Sequence, residues 1–152
     1  MLGEGLETQF WRLDNGQMQW LTVDLPEALE LRHRLLPGGP RQSSHWGSAL
    51  DLSWLHGLDP GEPILVTAQG LLPYFQHDQI HGLIRGIAER LPRSLLVFDV
   101  VPEAMLDLVQ RTSGRERELA VEHWTWLFNA AERAAISARC PASRSFATSH
   151  RR

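Results

Sequence analysis

Two short apolar runs separated by one amphipathic segment constrain the fold of this chain more than any other feature. The runs Ile64–Val66 and Leu95–Phe98 are continuously apolar, which is typical of parallel strands buried on both faces. Between them, Asp78–Leu91 carries one apolar stripe at helical spacing, and Pro92 ends the segment. The stripe consists of Ile80, Leu83, Ile84, Ile87, Ala88 and Leu91. This order predicts a parallel strand–helix–strand unit with helices covering both sides of the sheet.

The rest of the chain extends the same alternation. Strands are predicted at Gln19–Val23, His45–Ala49, Pro63–Ala68 and Ser94–Val101. Further helices are predicted at Pro26–Leu36, near Glu103–Gln110 and over about Glu116–Ala138. The predicted fold class is therefore α/β, with a Rossmann-like, doubly wound, mostly parallel sheet and flanking helices. Residues 1–140 are expected to form one domain, and the unpatterned residues 141–152 a disordered basic tail.

Composition and charge limit the kinds of molecule that this chain is expected to bind. The 152 residues include 43% hydrophobic and 22% charged residues, as in ordinary globular domains. The first 110 residues carry 14 acidic residues and 7 arginines, a balance that argues against nucleic acid as a partner and suits a cationic small molecule. No apolar run is long enough to span a membrane, and Cys140 has no second cysteine with which to form a disulfide. We expect a cytoplasmic protein with no membrane partner, whereas the oligomeric state is left open by the sequence.

A glycine loop near the N-terminus is the first candidate site. Gly3-Glu4-Gly5 precedes a helical segment, and such loops allow a ligand to approach the backbone. Asp24 lies 19 residues after Gly5, at the end of the next predicted strand, where nucleotide-binding sheets place a carboxylate that accepts from a ribose. Thr8 stands where a dehydrogenase usually has a third glycine or alanine. This pattern favours an adenosine ligand without a pyrophosphate.

Two further strand ends carry polar residues suited to the same ligand. Asp51, followed by Leu52, could accept from an adenine amino group while Leu52 packs against the ring; the alternative is that Asp51 caps a helix over residues 52–55. Gln69 and Gly70 follow the strand predicted at Pro63–Ala68. Ligands of open α/β sheets bind at the carboxyl ends of the strands.

These segments resemble, in order and spacing, the leucine carboxyl methyltransferase-like family, particularly its bacterial polyketide O-methyltransferases. The resemblance covers about residues 2–130. It rests on Gly3-Glu4-Gly5-Leu6-Glu7-Thr8, Val23-Asp24-Leu25-Pro26-Glu27, Asp51-Leu52 and Thr67-Ala68-Gln69-Gly70, continuing to Tyr74. The chain differs from the family pattern at Gln9, where Arg is common, and at Pro73, where Met is usual.

The resemblance implies a function and a set of binding residues. It implies an S-adenosylmethionine-dependent O-methyltransferase acting on a hydroxyl or carboxyl of a small molecule, such as a polyketide. Gly3, Glu4 and Gly5 would approach the methionine part of the cofactor, Asp24 with Leu25 would hold the ribose, and Asp51 with Leu52 would frame the adenine. Gln69 would lie beside the methionine end and Tyr74 would face the acceptor. No catalytic residue is implied, because the sulfonium already activates the methyl group.

Two other signals are interpreted as structural. His77 and His81 have the i, i+4 spacing of zinc ligands, but with no third ligand nearby in the sequence they are expected to be solvent-facing helix residues, and no metal is predicted. Trp124 and Trp126 are expected to anchor a helix to the core rather than to line an acceptor pocket.

The position of the glycine loop bears on the kind of protein expected. Only Met1 and Leu2 precede it, so the first, central strand of such a sheet is expected to be largely missing. Two hypotheses follow: a methyltransferase whose start codon is mis-set, and a truncated, non-catalytic remnant that binds the cofactor or a partner only. A nucleotide-dependent oxidoreductase is a third, weaker hypothesis.

Overall fold

A computed structural model describes residues 1–102 and 125–139 of the chain. The strands are β1 (Trp20–Asp24), β2 (Gln42–Trp46), β3 (Leu65–Ala68) and β4 (Leu95–Phe98). The α-helices are α1 (Gln9–Leu13), α2 (Pro26–Leu35), α3 (His77–Arg90) and α4 (Ala130–Arg139). Short 3₁₀ helices span Ala49–Asp51, Ser53–Gly57 and Leu72–Tyr74. Within the described residues, no helix has the length and apolar character needed to cross a membrane.

The strands form two parallel pairs, β1 with β2 and β3 with β4. Leu2 lies between the pairs and forms parallel bridges to Val23 in β1 and Ala68 in β3. Its amide donates to Thr67 O at 2.7 Å, and the Val23 amide donates to Met1 O at 2.9 Å. The described part of the chain therefore confirms the α/β class, with Met1 and Leu2 at the predicted place of a central strand.

Helix α3 supplies much of the core. Ile80, Leu83, Ile84 and Ile87 are buried, which confirms the predicted stripe, whereas Ala88 is exposed. These side chains pack with apolar residues of the strands and of the 3₁₀ segments, including Val23, Val66, Ala68, Trp54 and Leu72. Trp126 is 2% exposed and belongs to the same cluster, which confirms its predicted place in the core, although it precedes α4 and does not lie on a helix. Trp124 lies outside the described residues.

The second strand differs from its prediction. It was expected at His45–Ala49 but spans Gln42–Trp46, three residues earlier. Its residues are mostly polar, and a strand at the edge of a sheet needs no apolar side chains on both faces. The more apolar segment that follows forms the 3₁₀ helix Ala49–Asp51 instead.

Of the two faces of β3 and β4 that helices are expected to cover, only one is covered by described residues, because the helix predicted near Glu103–Gln110 lies outside them. Val66 and Ala68 face the core, but Leu65, Leu95 and Val97 are 59%, 63% and 44% exposed. Leu65 pairs with Leu95 across the two strands, so the exposed apolar side chains are adjacent. Among the described residues these runs are thus covered on one face, and the covering of the other face stays a prediction.

The long helix predicted over Glu116–Ala138 is also wrong in part. Residues 125–129 are not helical, and Phe128 forms a parallel bridge to Pro102. Helix α4 begins only at Ala130, after Asn129 Oδ1 accepts the Glu132 amide at 3.0 Å, as an N-cap side chain does. The helix predicted near Glu103–Gln110, the residues 116–124 and the tail 141–152 lie outside the described residues.

Candidate functional site

One part of the predicted site lies where parallel strands end. Gly3 follows Leu2, Asp24 is the last residue of β1, and Gln69 follows β3 directly. Since the strands are parallel, these carboxyl ends meet at one edge of the sheet, which is where open α/β sheets bind ligands. Asp99, which sequence reasoning missed, follows β4 at the same edge.

Asp24 organises the glycine loop. Its Oδ2 accepts the Gly5 amide at 2.8 Å and its Oδ1 accepts the Leu25 amide at 2.8 Å. Gly3 and Gly5 have φ angles of +61° and +52°, a region that residues with a Cβ adopt at a cost. The structure thus brings Gly5, Asp24 and Leu25 together, as a shared binding site requires.

Glu4 and Arg32 form a buried ion pair beneath the loop. The Glu4 carboxylate is 2% exposed and accepts from Arg32 Nη2 at 2.8 Å, from Trp20 Nε1 at 3.0 Å and from the Thr22 hydroxyl. Arg32 Nη1 also donates to the carbonyls of Gly5 and Glu7, at 2.8 and 2.7 Å. The Glu4 side chain therefore points into the protein, and a contact between Glu4 and a ligand stays a prediction.

Gln69 contacts Gln9, the first residue of the helix that follows the glycine loop. Gln9 Nε2 donates to Gln69 Oε1 at 2.5 Å, which links α1 to the residue that follows β3. Gln9, at the position where the resembled family commonly has Arg, thus carries a neutral side chain that is bonded to a predicted binding residue.

Gly70 repeats the arrangement seen at Gly5. Its φ is +63°, and its amide donates to Oδ1 and Oδ2 of Asp99 at 2.8 and 2.9 Å. In both cases a carboxylate at the end of one strand accepts the amide of a positive-φ glycine from a loop at the same edge. The sequence carries a signal for this, because Phe98-Asp99 has the same apolar-then-acidic form as Val23-Asp24.

Asp51 and Leu52 are placed differently from the prediction. Asp51 does not end a strand but lies in the 3₁₀ helix Ala49–Asp51, which Ser48 caps. Leu52 occupies the N-cap position of the next 3₁₀ helix with a φ of +61°, so Asp51 is not the cap there. The Asp51 side chain is exposed.

Leu52 packs against α3. A Cβ built on Gly86 would lie 2.4 Å from Leu52 Cδ1, so the leucine occupies the space that the glycine leaves. Its side chain is partly buried against the core, and adenine packing by Leu52 stays a prediction. Tyr74, in the 3₁₀ helix Leu72–Tyr74, is 55% exposed and stays a prediction as well.

The expectation of two solvent-facing histidines is wrong for His81, which is 7% exposed. Its Nε2 lies 3.0 Å from Glu132 Oε2, and His77 Nε2 contacts Glu132 Oε1. Burial raises the pKa of the Glu132 carboxyl, but hydrogen bonds from His81, Trp126 and His77 outweigh it, so this pKa lies below its usual value. The sequence could not show this contact, since Glu132 is 51 residues from His81.

A cleft of about 1470 Å³ runs along β1, β2 and β3. It reaches the predicted site only at Gln69 and its neighbour Gln9; the residues Gly3 to Gly5, Asp24 and Asp51 do not line it. The groups at the carboxyl edge, and not this cleft, therefore define the candidate site.

Comparison with curated proteins finds a related methyltransferase. The tetracenomycin polyketide synthesis O-methyltransferase TcmP of Streptomyces glaucescens is 32% identical over 98 residues, which are 64% of this chain and 36% of that enzyme. The chain is thus a distant relative of a methyltransferase and matches little more than a third of its length. No protein-family model matches the chain, so membership of the leucine carboxyl methyltransferase-like family stays a prediction.

A solved structure shares the fold. A chain described as "A Pericyclic Reaction enzyme" aligns with a TM-score of 0.58 over 91% of this chain and 36% of its own length, at 15% identity. At that identity the likeness concerns the fold alone. It agrees with the α/β arrangement of the described residues.

Proposed function

We propose that this chain is the cofactor-binding part of an S-adenosylmethionine-dependent O-methyltransferase with a Rossmann-like fold. The observation that carries the proposal is the bond between Gly5 and Asp24, which joins the glycine loop to the acidic residue at the end of β1. The similarity of this chain to an O-methyltransferase over 98 residues supports the same function. The chain spans only about a third of that relative, so activity and acceptor are both part of the proposal.

Asp24 retains the capacity to bind a ribose. A carboxylate has about four lone-pair sites, and Asp24 uses two of them for the Gly5 and Leu25 amides. The remaining sites can accept from the two ribose hydroxyls. The backbone bonds meanwhile hold the carboxylate in one orientation, so little side-chain entropy is lost when the ligand binds.

The loop suits the methionine end of the cofactor. The positive φ of Gly3 and Gly5 turns the chain sharply, and nothing lies within 4 Å of the position a Gly5 Cβ would occupy. Open space above a glycine lets a ligand reach the backbone directly. Gln69, whose Oε1 is held by Gln9, would contact the same end of the ligand.

The cofactor, when bound, supplies a methyl group activated by its sulfonium. The acceptor is proposed to be the hydroxyl or carboxyl of a small molecule, such as a polyketide, as the name of the related enzyme suggests. This chain's part is to orient the methyl donor and to exclude water, which are effects of proximity. The carboxylates Asp24 and Asp99 at the binding edge favour the cationic donor over its neutral product.

Calorimetric titration with S-adenosylmethionine, S-adenosylhomocysteine, NAD⁺ and ATP tests the proposal. We expect the two sulfur compounds to bind at one site per chain and to compete with each other, while the pyrophosphate and triphosphate compounds do not bind. Tight binding of NAD⁺ with none of S-adenosylmethionine would favour the oxidoreductase hypothesis instead. Transfer of a radiolabelled methyl group to a panel of phenolic and carboxylic polyketides then separates an enzyme from a protein that binds only the cofactor.

A further inference from the structure

Two histidines and a glutamate converge where α3 meets α4. One ligand atom from each of His77, His81 and Glu132 can be chosen so that all three lie within 4.8 Å of one another. The two imidazole rings stack with centroids 4.3 Å apart and an angle of 17° between their planes. Both Nε2 atoms therefore face one carboxylate, with His77 next to Oε1 and His81 3.0 Å from Oε2.

This donor set has the composition of a metal site. Histidines at i and i+4 lie on one face of a helix, and zinc sites often take that pair together with a carboxylate from another element. Zinc–nitrogen and zinc–oxygen bonds are about 2.0–2.2 Å long, so ligand atoms that converge to this degree need only small side-chain rotations to meet one ion. The three side chains come from two helices whose backbones already pack together.

Neighbouring groups fix the carboxylate. Asn129 Oδ1 accepts the backbone amide of Glu132 at 3.0 Å, which caps α4, and Trp126 Nε1 donates to Glu132 Oε2 at 3.2 Å, which orients the carboxylate itself. Partners of this kind orient metal ligands and raise metal affinity. The buried position of His81 and Glu132 shields the site, while the His77 side chain is 50% exposed and leaves a route for an ion to enter.

We propose that His77, His81 and Glu132 bind one Zn²⁺ ion, with water in the remaining position. The ion would join α3 to α4, two helices separated by some 40 residues of sequence. The site does not depend on the methyl-transfer proposal, since its residues are separate from the glycine loop and Asp24. The alternative is that the three side chains form only a hydrogen-bonded network.

Zinc titration of the whole chain at neutral pH, with a chromogenic chelator as competitor, tests this proposal. We expect one Zn²⁺ per chain and an increase in Tm on binding, because the ion binds the folded state. Replacing even an outer-shell partner costs about 10–100-fold in affinity, so His77→Gln and Glu132→Gln should each weaken binding by about 100-fold or more. With Co²⁺ as the probe, the wild type should give the intense visible absorption of a tetrahedral site.

The matched control is His56→Gln, an exposed histidine of the 3₁₀ helix Ser53–Gly57. It should bind Zn²⁺ as the wild type does. Far-UV circular dichroism of each variant verifies that it is folded. We expect His77→Gln to fold because His77 is half exposed, and Glu132→Gln to fold because Gln matches Glu in size. The proposal is overturned if the wild type binds no stoichiometric Zn²⁺, or if folded His77→Gln and Glu132→Gln both bind it with unchanged affinity.

Discussion

The amide of Gly5 donates a 2.8 Å hydrogen bond to Oδ2 of Asp24. Asp24 lies 19 positions further along the chain and is the last residue of β1. Gly70 and Asp99 repeat this relationship at 2.8 Å, 29 positions apart. In each pair a carboxylate at a strand end fixes a turn whose glycine has positive φ. The geometry of this edge of the sheet therefore depends on a few polar contacts that can be tested individually.

Removing one partner of the buried Glu4–Arg32 ion pair should be strongly destabilising. Arg32→Met leaves the Glu4 carboxylate buried without its cationic partner, and losing one partner of a buried pair costs about 3–5 kcal/mol. The free energy of unfolding by urea measures the loss. Arg34→Met changes an exposed arginine of the same helix and should cost less than about 0.5 kcal/mol. The double variant Glu4→Gln/Arg32→Met should be more stable than Arg32→Met alone, because it leaves no unpaired buried charge. Equal losses of unfolding free energy in Arg32→Met and Arg34→Met would contradict the importance of the buried pair.

Two glycines of α3 should respond in opposite ways to alanine. Gly82 has open space around its Cβ position, so Gly82→Ala should raise stability by about 0.5–1 kcal/mol through helix propensity. Gly86→Ala places a methyl against Leu52 Cδ1, so the Leu52 side chain must shift, and this overpacking should leave a net cost of about 1 kcal/mol, at the low end of the usual range. Thermal and urea unfolding of the two variants give the comparison.

Shortening Leu52 should relieve that clash. Gly86→Ala in a Leu52→Ala background is expected to cost less than in the wild type, which a double-mutant cycle measures. Additive effects of the two substitutions would show that the two side chains do not touch.

Asp14 should titrate at unusually low pH. The hydrogen bond from Arg41, followed by that from the Gly16 amide, lowers the pKa of Asp14 from its ordinary value of 3.8 to about 2. A carboxyl whose pKa is lower in the folded state contributes stability above its unfolded pKa and loses it as pH falls toward its folded pKa. This contribution should therefore be complete above about pH 4 and disappear toward pH 2. Carbon-detected NMR titration of Asp14 measures it directly, and Arg41→Gln should move the midpoint upward; a wild-type midpoint near 4 would disprove the effect.

Local patterns explain what the sequence predicted correctly. The stripe of α3 and the positions of Asp24 and Gln69 after strands follow from periodicities of a few residues, which the fold preserves. The second strand shifted because its polar residues lie at an edge, where burial does not select apolar side chains.

The missed residues depend on contacts between distant positions. In the sequence, Arg32 has the pattern of a solvent-exposed arginine on a helix. Its buried partner, Glu4, lies 28 positions away, so no local pattern indicates the ion pair. Glu132 approaches His81 from a separate helix, and no pattern near either residue indicates the pair. Leu52 adopts a positive φ that local preference disfavours, and its packing on Gly86 helps to offset that strain.

Binding of S-adenosylmethionine to Asp24→Asn, compared with Asp59→Asn, tests the central claim most directly. Asp59 also accepts a glycine amide, that of Gly61 at 2.8 Å, but lies in the turn before β3, away from the binding edge. Hydrogen bonds to charged groups contribute about 1.5–3 kcal/mol, so Asp24→Asn should weaken binding by about 10–100-fold while Asp59→Asn binds as the wild type does. Wild-type affinity in a folded Asp24→Asn variant, or no binding by the wild type itself, would contradict the account.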